Sequence, residues 1–167
     1  MPFDRFVVES ARYDFDCPTK GVLWFYTLGL CGEVAEVVEK LRAPVLASAV
    51  AKELGDVLWY VAALSRELGV GELDAYEQTN FNWASCDYAD AMVIEAGRVA
   101  ERVKKHYRDG AELDKETMRT LLSQVVYRVH CIATRYNLTL GEVAAMNIEK
   151  LESRRLRGTS RGSGDDR

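Results

Sequence analysis

Proline is scarce in this chain. Only three occur in 167 residues, at positions 2, 18 and 44, so long stretches run without an obligatory break. Within them apolar residues recur at helical spacing and nothing alternates with strand period, which makes the chain all-α. Four cysteines (Cys17, Cys31, Cys86 and Cys131) lie scattered with no C-x-x-C pair, and neither His106 nor His130 stands at zinc-finger spacing to them. That pattern excludes a disulfide framework and a Cys/His zinc site, and it fits free thiols in a reducing cytoplasm. No apolar run reaches membrane-spanning length, and Asp4 and Arg5 interrupt any signal-like stretch near the start. A soluble cytoplasmic protein is expected. A phosphate loop of the G-x-x-x-x-G-K-[ST] kind is missing, which rules out a P-loop NTPase. Excess positive charge is missing too. Lys and Arg total 22 against 26 Asp and Glu, a net charge of -4. Nucleic acid and anionic membrane are therefore poor partners, although a small phosphate ligand held by a few local cations is not excluded.

What is present is apolar content of 48%, enough for one compact core. The pattern predicts a short helix over Phe3 to Tyr13, with Cys17-Pro18-Thr19 as a turn behind it. Thr19 is expected to cap a long helix reaching about Arg42, where Ala43-Pro44 stops it. Further helices are expected from about Ala47 to Leu68, from Glu72 to Gln78, from beyond a polar bend at Asn80 to Ser85 as far as Arg108, from Asp114 to Tyr136, and from Leu140 to about Arg155. Gly69, Asp109-Gly110 and Asn137 supply the stops. The tail over 158–167, rich in Gly, Ser and charge, is expected to be disordered.

The chemistry sits in two acidic pairs, Glu33-Val-Ala-Glu36 and Glu53-Leu-Gly-Asp56. Carboxylates three residues apart share a helix face, and an antiparallel hairpin would bring all four together. Leu54, Val57, Leu58, Trp59, Tyr60 and Val61 surround the second pair with apolar bulk. A carboxylate held there is costly without a compensating cation, and four converging acids raise one another's pKa. A divalent ion removes both penalties, and oxygen-only donors suit Mg²⁺ or Mn²⁺. One ion or two remains open at this point. Trp24, Phe25 and Tyr26 precede the acidic face. Trp24 is the candidate to stack on a nucleobase, against the alternative that these aromatics, like Trp59 and Tyr60, are core. Gly55 inside a helix points to close approach of a second helix or of a ligand.

The chain also nearly repeats itself. Residues 31–40 resemble residues 96–105 at an offset of 65, residues 71–77 resemble 141–147 at an offset of 70, and Asp56 to Val61 lies opposite Gln124 to Val129. A duplication is expected, with one unit over 1–80 and a second over 81–157. The acids do not survive it. Glu33 has Arg98 as its counterpart, Glu53 has Leu121 and Asp56 has Gln124. The second unit ends instead in a basic stretch around Lys150, Arg154, Arg155 and Arg157, where the first has Glu77 and Asn80 opposite Asn147 and Lys150. One composite site, with acids from one half and cations from the other, would account for that division.

Gly32-Glu33-x-x-Glu36-x-x-x-Lys40 followed by Lys52-Glu53-Leu54-Gly55-Asp56-Val57-Leu58-Trp59-Tyr60 resembles the signature of the MazG-type all-α nucleoside triphosphate pyrophosphohydrolases. Asn147-x-x-Lys150-Leu-x-x-Arg154 is similar to the end of the same domain. The resemblance implies a helical bundle that hydrolyses a nucleoside or deoxynucleoside triphosphate to the monophosphate and pyrophosphate with Mg²⁺. It implies that Glu33, Glu36, Glu53 and Asp56 are catalytic metal ligands. Lys40 would hold a phosphate oxygen, and Asn147, Lys150 and Arg154 would contact phosphate or sugar. Members of this family have one unit per chain and assemble into oligomers, so a homodimer of this double-unit chain is expected. Two rivals stand beside this reading: a phosphoribosyl-ATP pyrophosphatase-like enzyme, which has a related helical site, and a non-catalytic helical module that binds nucleotide or regulates.

Overall fold

The computed structural model describes residues 1–14, 22–73 and 87–159. Among them are six α-helices and no strand: α1 (Phe3–Ser10, followed by a 3-10 turn over Ala11–Tyr13), α2 (Val22–Leu41), α3 (Ala47–Leu68), α4 (Tyr88–Asp109), α5 (Lys115–Arg135) and α6 (Leu140–Arg157). The Thr19 cap, the bend over 80–85 and the tail beyond Thr159 lie outside the described residues. So do Glu77, Asn80 and most of the helix expected near Glu72; the part that is described, Gly71 to Leu73, is not helical. None of the described helices is long and apolar enough to cross a membrane.

Local chemistry explains the helix ends. Asp114 accepts the amide of Thr117 at 2.8 Å, and Thr139 and Glu142 form a reciprocal capping box at the start of α6. Asp87 caps α4 through the amide of Ala89. Gly69, Gly110 and Gly158 take left-handed conformations just past α3, α4 and α6, and Asn137, at φ 58°, does the same beyond α5.

Helix α3 is the centre of the molecule. Thirteen of its 22 residues are buried, because α2, α5, α6 and α1 all lie against it. Short connections fold α2–α3 and α4–α5 into hairpins, with α2 against α4 and α3 against α5. A single apolar cluster runs from Phe3 through Leu54 and Val99 to Ala144, so both halves share one core. Where α2 meets α4, Cys31 Sγ lies 4.0 Å from the carbonyl oxygen of Ala96, the residue equated with it at the offset of 65. Arg66 ties α1 to α3 by donating to the Val7 carbonyl and to Ser10 Oγ, each at 2.8 Å.

Gly55 sets how closely α6 approaches α3. A Cβ placed there would lie 2.8 Å from Cβ of Asn147, closer than two carbons can stand. Helix approach, rather than room for a ligand, is therefore what this glycine provides.

Candidate metal centre

Helical geometry places Glu33, Glu36 and Lys40 on one face of α2, and Glu53, Asp56 and Tyr60 on one face of α3. Carboxylate oxygens of Glu33, Glu53 and Asp56 lie within 4.8 Å of one another. Glu53 is 1% exposed, Glu33 and Asp56 are half-buried, and Glu36 stands one turn on at the solvent edge. Three of the expected acids thus converge, with the fourth at the rim. An all-oxygen donor set this tight fits a hard divalent cation such as Mg²⁺.

Like charges in a poorly hydrated pocket leave a clear electrostatic mark. The carboxyl of Glu33 is pushed from its ordinary 4.5 up to about 8, first by burial and then by Asp56 and Glu36, with Lys150 opposing. The Tyr60 phenol is pushed up to about 12 by burial, then by Glu33 and Asp56.

Two side chains expected from far along the chain, Lys150 and Asn147, reach this site. Lys150 Nζ pairs with Asp56 Oδ2, and Asn147 Nδ2 donates to Asp56 Oδ1 at 2.8 Å. Lys40 Nζ stands 3.2 Å from Glu53 Oε1. Arg154, one turn beyond Lys150 on α6, is buried. Trp24 is not brought to the acids. It precedes Glu33 by nine residues, about two and a half turns, which puts it on the opposite face of α2, where it is 46% exposed.

The aromatic beside the acids is Tyr60, which sequence reasoning assigned to the core. Its ring lies over Gly29, where a Cβ would fall 2.1 Å from the ring. Gly29 and Gly55 were the available signal, since a glycine inside a helix carries a cost of about 1 kcal/mol against alanine and asks for a close neighbour in return.

The corresponding part of α4–α5 holds a different cluster, one the sequence reading passed over. Glu95, fully buried, accepts from Arg98 Nη1 at 3.2 and 3.3 Å. With its amide nitrogen turned to the carboxylate, Gln124 donates to Glu95 at 2.8 Å. Burial raises the Glu95 carboxyl, and Arg98 and Arg128 pull it back.

Comparison with protein families falls on the acidic half. Residues 23–77 match the MazG nucleotide pyrophosphohydrolase domain, a span that covers all of the acids and ends before α4. The Gene 37 protein of Mycobacterium phage L5 is 31% identical over 103 residues, which is 59% of this chain and 85% of that protein. No solved structure matches the chain significantly.

Proposed function

The chain belongs to the family of MazG nucleotide pyrophosphohydrolase domains, and on that premise we propose that it hydrolyses a nucleoside or deoxynucleoside triphosphate to the monophosphate and pyrophosphate, with Mg²⁺ held by Glu33, Glu53 and Asp56. The observation that carries this reading is the convergence of those three carboxylates within 4.8 Å on the two helices that match the family. A divalent ion bound there would neutralise phosphate oxygens and favour ionisation of water. Displacement at phosphorus asks for positioning and charge neutralisation more than for covalent catalysis. Lys40, Asn147 and Lys150 are the groups to position the phosphates, and Glu36, open to solvent one turn from Glu33, is placed to orient the attacking water. A free nucleotide substrate goes with a cytoplasmic setting.

We also read α2–α3 and α4–α5 as two related units with one composite site. The matching order of the segments and the meeting of Cys31 with its counterpart Ala96 support this. Asn147 and Lys150, from the second unit, then complete a site whose acids come from the first.

The test is product identification with purified protein, Mg²⁺ and the eight common NTPs and dNTPs, reading pyrophosphate separately from phosphate. Pyrophosphate plus monophosphate is expected. Phosphate alone, or no turnover of any nucleotide, would overturn the assignment.

A further inference from the structure

Both oxygens of Asp56 are taken by α6, Oδ1 by Asn147 and Oδ2 by Lys150. The Lys150–Asp56 pair is largely buried, with side chains 10% and 17% exposed, so water and salt screen it little. Each carboxylate oxygen keeps a second lone pair, but the ammonium at Oδ2 repels a divalent cation that approaches the same carboxylate. Lys40 stands against Glu53 and Lys150 against Asp56, so two of the three acids already face a cation.

Resting on the metal-site reading above, we propose that Lys150 is a place-holding cation that alternates between Asp56 and the polyphosphate of the substrate, and so couples divalent-ion binding to nucleotide binding. A divalent ion that enters alone repels the ammonium from Asp56. The displaced charge is then left in a low-dielectric crevice beside another cation, which is unfavourable. A phosphate chain entering with the ion gives Lys150 a new anionic partner. Ion and nucleotide therefore each raise the affinity of the other, reciprocally as linkage demands, by about 10–100-fold. Lys40, on the more exposed Glu53 pair, makes a smaller contribution of the same kind. The idle protein consequently holds its divalent ion loosely.

The experiment titrates Mn²⁺ alone into the wild type, Lys150→Met, Lys150→Gln and Asp56→Asn, following free Mn²⁺ by electron paramagnetic resonance. Circular dichroism checks that each variant is folded. Both Lys150 variants are expected to bind Mn²⁺ at least about tenfold more tightly than wild type, and Asp56→Asn to bind it weakly. In a second arm, an α,β-imido triphosphate analogue is bound with and without saturating Mn²⁺. The gain in affinity that Mn²⁺ confers should shrink by about tenfold or more in Lys150→Met. Equal Mn²⁺ affinity in wild type and the Lys150 variants, with Asp56→Asn weakened, would overturn the place-holder and leave the metal site standing. Mn²⁺ binding by none of them, or unchanged binding in Asp56→Asn, would overturn the metal site and the proposal with it.

Discussion

The α2–α3 and α4–α5 hairpins are both pairs of packed helices, and they hold their acids in opposite ways. In the first, Glu33, Glu53 and Asp56 crowd together, and among the described residues their charge is met by Lys40 at the end of α2 and, from outside the hairpin, by Lys150 on α6. In the second, Glu95 is neutralised by Arg98 and Arg128 on the hairpin itself. Arg98 and Gln124, which the proposed duplication sets opposite Glu33 and Asp56, are donors to the buried Glu95. A hairpin that satisfies its own charges has nothing left for a ligand. One that keeps a surplus of acid is less comfortable alone and open to a cation. Chemical competence on this scaffold follows from the imbalance.

The sharpest way to break the contrast is to remove the imbalance. Asp56→Asn or Glu53→Gln should lower turnover by at least about 100-fold, since even partners one layer behind a metal ligand cost about 10–100-fold. The helical circular dichroism of either variant should persist; unchanged turnover would sink the ligand assignment. In the other hairpin, Glu95→Ala removes the buried carboxylate that Arg98 and Arg128 oppose and should cost about 3–5 kcal/mol in denaturant unfolding. The double change Glu95→Leu with Arg128→Met should recover most of that loss and leave Mn²⁺ binding alone. If it abolishes Mn²⁺ binding, the second cluster is more than structural.

Smaller effects sharpen the comparison. Gly55→Ala gains up to about 1 kcal/mol of helix propensity but drives a Cβ into Asn147, and overpacking costs about 1–3 kcal/mol. A net loss of about 1 kcal/mol, with weaker nucleotide binding through the disturbed Asn147–Asp56 bond, should appear in melting and in binding isotherms. A further effect is one of pH. Glu33 titrates at about 8 in the folded protein against an ordinary 4.5, so between those values the folded state binds more protons than the unfolded one. Its contribution to stability is complete below about 4.5 and is lost as pH rises through about 8. Melting of the metal-free protein at a series of pH values should show that decline, and Glu33→Gln should flatten it.

Helix order and most boundaries were legible in the sequence because caps and stops are local. Gly69, Gly110 and Asn137 end helices by their own backbone preferences, and Asp114 starts one with its own side chain. The acids were legible too, since a spacing of three residues needs only a helix to become a face. What could not be read were contacts set by how helices dock. Trp24 was the aromatic candidate and Tyr60 was counted with the core, and only the rotation of α2 and α3 about their axes separates the one turned away from the one over Gly29. Gly55 was visible as an anomaly, but the identity of Asn147 as its neighbour depends on where α6 crosses α3. The Glu95 cluster was missed because it has no matching acidic partner to attract notice, only arginines on the same hairpin.

Asp56 and its two donors are separated by 91 and 94 residues of chain, whereas the acids themselves arise on adjacent helices. During synthesis the hairpin of α2 and α3 is complete long before α6 leaves the ribosome. Through that interval the young hairpin folds against its own repulsion, and closure of the longest loop in the site comes last. Helix α6 thus sets timing as well as forming a wall: until it docks, Asp56 lacks Asn147 and Lys150.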